Sequence, residues 1–167
     1  MRSDEKRAFV TEIERQHGRS LRRFLASRLR NAAADVPDLV QEVFLRLYVT
    51  LKKREQIRNH RAWIFRVAHN LGLKVRARQN AQPAYDPELG ARIQDPEANP
   101  EMSLLERERI RLFHRAVEAL SEQQRRCLFL RLNGLRYPEI GDVLGISASA
   151  VGEFLRRAVA RLRRGER

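Results

Sequence analysis

The sequence predicts an all-α protein of two small helical domains, with a flexible, acidic and proline-rich linker between them and a helix-turn-helix in the second domain. Three observations support this fold class. Residues that favour helices (Arg, Leu, Ala and Glu) are abundant, whereas Gly and Pro are scarce outside one segment. Apolar residues recur at helical spacing, and no stretch alternates as a strand does. Charge and proline divide the chain into three blocks.

These blocks set the predicted domain boundaries. Residues 1–79 are basic, with 19 Lys and Arg against 8 Asp and Glu, and residues 103–167 are basic again, with 14 against 8. Residues 80–102 hold four of the six prolines and carry five acids against one arginine. A segment of this composition packs poorly and stays extended. We therefore predict domains at 1–79 and 103–167, joined by a flexible linker at 80–102.

The first helical region covers residues 5–30, as one helix or as two if Gly18 interrupts it. Its apolar positions are Phe9, Ile13, Leu21, Phe24, Leu25 and Leu29. Asp35 then stands where a helix N-cap is expected, since Pro37 is tolerated in the first turn that follows.

Residues 36–51 form a predicted helix with two different faces. One face is a wide apolar stripe: Leu39, Val40, Val43, Phe44, Leu47 and Leu51. The opposite face mixes acids and amides with apolar residues: Asp38, Gln41, Glu42, Leu45 and Val49. Taken alone, the pattern favours the interpretation that this opposite face is simply exposed to solvent, because single exposed apolar residues are normal. The alternative is a docking face for a basic or amphipathic partner helix.

A cation-rich loop, residues 52–61, precedes a helix predicted over residues 62–79. The expected core positions are Ile64, Val67, Ala68, Leu71 and Val75. The other side presents polar residues suited to a nucleic-acid strand, because cations hold phosphates and an amide reads a base edge. These are Arg66, His69, Asn70 and Arg76, with Lys74 and Trp63 on the flanks. Trp63 itself is expected in the core.

The second domain is predicted to begin with two helices. Residues 104–120 have an amphipathic pattern. Ser121 and Gln124 then form a capping box that opens the next helix, which ends at the Asn133-Gly134 pair.

Residues 137–164 are read as two further helices joined by a tight turn. Gly145 ends the first, because glycine takes the left-handed cap conformation without a steric penalty, and Ser147 caps the second. The second helix has buried positions at helical spacing: Val151, Leu155, Ala158 and Leu162. This pattern fits a DNA-binding helix-turn-helix, with a plain helical hairpin as the alternative.

Composition narrows the class of partner and of chemistry. The net charge of +13, carried mostly by arginine, indicates a polyanion: nucleic acid first, an acidic membrane surface second. A single cysteine, Cys127, and the lack of a signal peptide or membrane span lead us to expect a cytoplasmic protein. The four histidines are far apart and no catalytic motif is present, so we expect no enzyme activity, catalytic residue, metal or cofactor.

Two stretches together resemble a known family. The first is DVPDLVQEVFLRLY, residues 35–48, with RNHRAWIFRVAHNLGLKVRARQ, residues 58–79. The second is ALSEQQRRCLFLRLNGLRYPEIGDVLGISASAVGEFLRRAVARLRR, residues 119–164. In this order, they resemble the extracytoplasmic-function (ECF) sigma factors of bacterial RNA polymerase, and among these the iron-uptake subgroup. The resemblance covers nearly the whole chain except the linker.

The resemblance implies a set of partners and a role for each domain. The first domain would dock on the β′ clamp helices of core RNA polymerase through Asp38, Gln41, Glu42 and Leu45. Its loop and last helix would recognise and melt the −10 promoter element through Arg58, Asn59, Arg61, Arg66, Asn70, Lys74 and Arg76. The second domain would meet the β flap and bind the −35 element through Ser147, Ser149, Glu153, Arg156 and Arg157. The linker would run towards the RNA exit path, and an anti-sigma factor would hold the protein in check.

The recognition helix departs from the family pattern. Family members commonly carry Lys or Arg just after the valine and again two residues on, where this chain has Gly152 and Phe154. Glu153 stands between them, and it could accept a hydrogen bond from a cytosine amino group. The −35 preference is therefore in question. The alternative function is a sigma-like decoy or helix-turn-helix regulator that binds an anti-sigma factor or DNA without directing initiation.

Overall fold

A computed structural model describes residues 2–29, 33–80 and 103–165, which are almost entirely helical. The helices are α1 (Ser3–Arg28), α2 (Val36–Lys52, preceded by a 3-10 turn at Ala33–Asp35), α3 (His60–Asn80), α4 (Leu104–Glu118), α5 (Glu122–Leu132), α6 (Tyr137–Leu144) and α7 (Ala148–Gly165). None of the described residues forms a strand, and the all-α prediction is confirmed. The predicted linker lies outside the described residues, apart from Asn80, which ends α3.

The three N-terminal helices pack on one another around an apolar core. Its fully buried side chains include Leu21, Phe24, Leu25, Val43, Leu47, Ile64 and Phe65. The Phe24 and Phe65 rings meet edge to face, with centroids 5.4 Å apart, and so join α1 to α3. This core fixes which face of α2 remains in solvent.

Helix α1 runs through Gly18 without a break, so the sequence alternative of two helices is wrong. Gly18 is buried, and a Cβ added there would lie 3.6 Å from Glu14 Cγ, an ordinary contact. We expect Gly18→Ala to raise the free energy of unfolding by about 0.5–1 kcal/mol, because alanine loses less backbone entropy in a helix. Urea denaturation followed by circular dichroism measures the change. Ala26→Gly, at an exposed position of the same helix, should lower the free energy of unfolding by a similar amount. If Gly18→Ala lowered it as well, the space at Gly18 would not hold a methyl group.

The polar side of α3 differs from the sequence prediction at His69. This residue is buried, and its Nδ1 accepts a hydrogen bond from the Arg28 guanidinium of α1. Arg28 is itself only 5% exposed and lies over the Phe24 ring, with its guanidinium carbon 5.6 Å from the centroid. His69 therefore joins α3 to α1 and does not belong to the solvent face. Trp63, expected in the core, is half-buried.

The four C-terminal helices pack with α7 against both α5 and α4. Buried side chains include Leu120, Cys127, Leu130, Leu135, Ile140, Val151, Leu155 and Ala158. Burial raises the pKa of the Cys127 thiol to about 11, which keeps it protonated at neutral pH. The capping boxes at Ser103 and Ser121 begin α4 and α5. The capping box predicted at Ser121 is therefore present.

Helix α4 is present where an amphipathic helix was predicted, but none of its residues is buried. Its apolar side chains lie largely in solvent: Leu104, Leu105, Ile110, Leu112 and Phe113. Among the described residues, no helix combines the length and apolar character needed to cross a membrane.

Candidate nucleic-acid interface and docking face

The turn between α6 and α7 has the geometry of a helix-turn-helix. Gly145 ends α6 in the left-handed conformation, with φ 70° and ψ 35°. The amides of Gly145 and Ile146 both donate to the Gly141 carbonyl, at 2.8 and 3.1 Å. Ser147 Oγ accepts from the Ala150 amide at 3.1 Å, which is the N-cap contact predicted for α7.

Gly141 lies where α6 is in close contact with the turn that leads to α7. A Cβ at this residue would lie 2.5 Å from the Ile146 carbonyl oxygen, far inside van der Waals contact. The turn therefore depends on two glycines for different reasons: Gly145 for its backbone conformation and Gly141 for space.

The exposed side of α7 carries the residues predicted to bind the −35 element. Ser147, Ser149, Arg156 and Arg157 are exposed, and Glu153 is partly exposed. The Glu153 carboxylate accepts hydrogen bonds from Arg156 Nε and Nη2, at 3.1 and 2.8 Å, and from Arg157 Nε at 2.7 Å. The hydrogen bonds from Arg156 and then Arg157 lower its pKa to about 2. The acid is thus ionised at neutral pH and occupies both arginines.

Glu153→Gln should strengthen duplex DNA binding by about threefold, because it releases Arg156 and Arg157 and removes a negative charge from the side of α7 that would meet the polyanion. Fluorescence anisotropy of a labelled duplex, with the full chain at fixed salt, measures the affinity. Glu108→Gln, on the exposed surface of α4, removes the same charge and controls for net charge. Weaker binding by Glu153→Gln would instead show that the carboxylate contacts a base.

The predicted polymerase-docking residues share the solvent face of α2. Asp38 and Gln41 are exposed, and Leu45 is 57% exposed although it is apolar. Glu42 is partly exposed and pairs with Arg46, whose Nε lies 2.6 Å from its carboxylate. The face therefore combines negative charge with an apolar centre that the core does not need.

A shallow groove adjoins Leu45 between α1 and α2. Its volume is about 310 Å³, and its lining residues are Arg7, Val10, Thr11, Phe44, Leu45 and Tyr48. Ser3 Oγ and Tyr48 Oη lie 3.0 Å apart at hydrogen-bonding distance, which joins the start of α1 to α2. Residues of α1 thus extend the exposed surface around Leu45 beyond the positions that the sequence suggested.

The predicted −10 residues divide between a strip on α3 and the loop before it. Arg66, Asn70 and Lys74 are exposed at steps of four residues, which places them on one side of the helix. Leu73, 45% exposed, lies beside this strip and was not predicted. Arg76 is half-buried and points away from this strip by helical spacing.

The predicted −10 residues of the loop differ in their exposure to solvent. Arg58 is exposed, whereas Asn59 and Arg61 are half-buried. Asn59 Oδ1 accepts from the Ala62 amide at 3.1 Å, so this side chain caps the start of α3. Arg54 has φ 59°, a left-handed conformation that costs free energy in a residue with a Cβ. Nothing in the sequence marks Arg54 for this conformation, since glycine or asparagine is usual there.

The chain matches two families of one protein class. Residues 14–82 match sigma-70 region 2, and residues 110–162 match sigma-70 region 4. The ECF RNA polymerase sigma-E factor of Escherichia coli K12 is 29% identical over 136 residues, covering 75% of this chain and 71% of that protein. The ferric citrate uptake sigma factor FecI of the same strain is 28% identical over 140 residues, covering 83% and 80%.

Solved structures share this fold. CnrH, in complex with the cytosolic domain of CnrY, is 25% identical, with a TM-score of 0.59 over 96% of this chain and 88% of that one. The sigma factor RpoE of Bartonella quintana, in complex with the anti-sigma factor NepR, is 20% identical and shares the fold, with a TM-score of 0.60 over 92% and 96%. The iron-uptake subgroup stays a prediction, because both sigma-E and FecI are among the relatives. The two matched regions and the relatives show that the chain belongs to the ECF sigma factors, which direct RNA polymerase in the initiation of transcription.

Proposed function

We propose that the solvent face of α2 is the surface by which this sigma factor binds the β′ clamp helices of core polymerase. The observation that carries the proposal is Leu45, an exposed leucine next to an apolar groove and flanked by acids. An apolar anchor within a charged rim is the usual anatomy of a binding surface. The negative charge of Asp38 and Glu42 would select a basic partner on an otherwise basic protein.

The second part of the proposal concerns the −10 element. Arg66, Asn70 and Lys74 form a polar strip along which a single strand would lie, with the two cations on its phosphates. Arg58, Asn59 and Arg61 come from the loop that would hold a flipped base. Arg76 would contribute only through longer-range attraction, because it lies off the strip.

The third part concerns the helix-turn-helix, which would place α7 in the major groove of the −35 element. Ser147 and Ser149 stand at its N-terminal end, where base edges are read. Arg156 and Arg157 would exchange their hydrogen bonds with Glu153 for hydrogen bonds with DNA phosphates. Contact with the β flap is proposed for the same domain.

An anti-sigma factor is proposed as the regulator, because CnrH and RpoE are both solved in complexes, with CnrY and with the anti-sigma factor NepR respectively. The protein would act in the cytoplasm, where its polymerase is. It would have no catalysis of its own, since the polymerase supplies the chemistry.

The experiment combines the full chain with core polymerase and genomic DNA fragments of the source bacterium, and sequences the 5′ ends of the transcripts. We expect start sites that appear only when both proteins are present, and that share two upstream elements. Binding to core without any start site would favour the decoy alternative. DNA binding without affinity for core would favour a helix-turn-helix regulator, and either result would overturn the proposal.

A further inference from the structure

The recognition helix α7 lacks a side chain at Gly152, and an aromatic ring occupies the space beside it. A Cβ at Gly152 would lie 3.5 and 3.7 Å from Cε2 and Cδ2 of Tyr137, at ordinary van der Waals contact. The Tyr137 ring, from the start of α6, therefore rests on the backbone of α7. It is nevertheless 43% exposed, so one side of the ring faces solvent.

A cation from a third helix completes the arrangement. The guanidinium carbon of Arg131, on α5, lies 5.6 Å from the centroid of the Tyr137 ring, within cation–π range. Arg131 Nη1 donates to the Leu135 carbonyl at 3.1 Å, which fixes the direction of the side chain. Arg131 and Tyr137 are thus held together beside α7 before any DNA is present.

The position of Gly152 on α7 determines what this pair can meet. Gly152 lies about 100° around the helix from the buried Val151, whereas Ser149 and Glu153 lie on the side of the helix opposite Val151. With Ser149 and Glu153 turned towards the base pairs, a residue at 152 lies against the wall of the groove. That wall is the phosphodiester backbone, to which tyrosine hydroxyls and arginines commonly bind.

We propose that Arg131 and Tyr137, seated on Gly152, form a DNA phosphate-binding site on one flank of α7. The cation that the recognition helix lacks at position 152 is then supplied by α5. Glycine at 152 leaves the space in which the Tyr137 ring lies. The inference rests on the proposed DNA-binding role of the helix-turn-helix and assigns two residues that the sequence did not suggest.

The test uses the full chain bound to core polymerase and a labelled pool of 30-base-pair duplexes with a randomised centre, titrated by anisotropy at several salt concentrations. Arg131→Gln should weaken binding about fivefold for all sequences and lower the slope of log affinity against log salt by about one. Tyr137→Phe, which keeps the ring and loses the hydroxyl, should weaken binding about threefold with an unchanged slope. Arg111→Gln, which removes an exposed charge from α4, is the matched control and should change the affinity less than twofold.

Gly152→Leu provides a second, independent variant, because its side chain would displace the ring. It should weaken binding as much as Tyr137→Ala, which removes the ring itself, and thermal melting of each variant checks that the domain is folded. If wild-type protein binds DNA and Arg131→Gln equals Arg111→Gln in affinity and slope, the site is refuted while the proposed function stands. If wild-type protein binds no duplex even with core, the proposed function and this inference both fail.

Discussion

Leu45→Arg should weaken the binding of core polymerase by about 30-fold, which corresponds to about 2 kcal/mol. Leu45 is the exposed apolar centre of the α2 face, and it adjoins the groove formed with α1. A buried cation at an interface centre loses hydration without a partner, and it would also repel the basic surface that the acids of α2 are expected to select. Competition for core against a labelled wild-type protein measures the change.

The control for this variant is Leu104→Arg. Leu104 is 73% exposed at the start of α4, so the substitution adds the same charge to an exposed leucine of the other domain. Both variants should melt at the wild-type temperature, because neither leucine belongs to a core. Equal affinity of Leu45→Arg and Leu104→Arg for core would remove the docking role from α2.

The double variant Asp38→Ala/Glu42→Ala should lose a smaller part of the affinity for core, and the loss should depend strongly on salt concentration.

Gly141→Ala should destabilise the C-terminal helices by about 3 kcal/mol and so impair −35 binding, because the added carbon meets a backbone oxygen that cannot move independently. That oxygen, on Ile146, belongs to the turn whose Gly145 and Ile146 amides both donate to the Gly141 carbonyl. Relief of the clash would have to separate α6 from the turn. Amide hydrogen exchange of the full chain measures the effect region by region, and the amides of α1–α3 should keep their protection.

Gly152→Ala is the matched control for this substitution. It adds the same methyl group to the neighbouring helix, where the nearest side-chain atoms would be at ordinary contact distance. It should be neutral or slightly stabilising, since alanine favours a helix interior. If Gly141→Ala retained the exchange protection of the control, the close approach in the turn would not be essential to the domain.

The sequence predicted the helices well because each one carries an apolar stripe that is visible in its own residues. It failed where burial depends on a partner from another helix. Arg28 and His69 are both polar and are normally placed in solvent, yet they are buried and hydrogen-bonded to each other between α1 and α3. Helix α4 is the opposite case, because its sequence pattern is amphipathic and yet none of its residues is buried.

In the candidate site too, the sequence shows the roles that are local to one turn but not the contacts between helices. Gly145 and Ser147 were readable because their roles are local to one turn. The contact of Tyr137 with Gly152 joins residues of two helices, and the sequence alone shows only a glycine where a cation is usual. The clamp of Glu153 by two arginines is local, at spacings of three and four, and could have been predicted from helical geometry.

The cap that Asn59 places on α3 affects what this residue can recognise in promoter DNA. A carboxamide identifies adenine with certainty only when its oxygen and its nitrogen act together, one accepting from N6 and the other donating to N7. Asn59 holds the Ala62 amide with its oxygen, which carries a second lone pair. A bidentate contact with adenine would therefore share this oxygen between the cap and the N6 amino group, or release the cap at a cost of about 1 kcal/mol. Recognition of adenine by Asn59 would thus be coupled to the start of α3, so that a change at this helix end would alter base preference as well as stability.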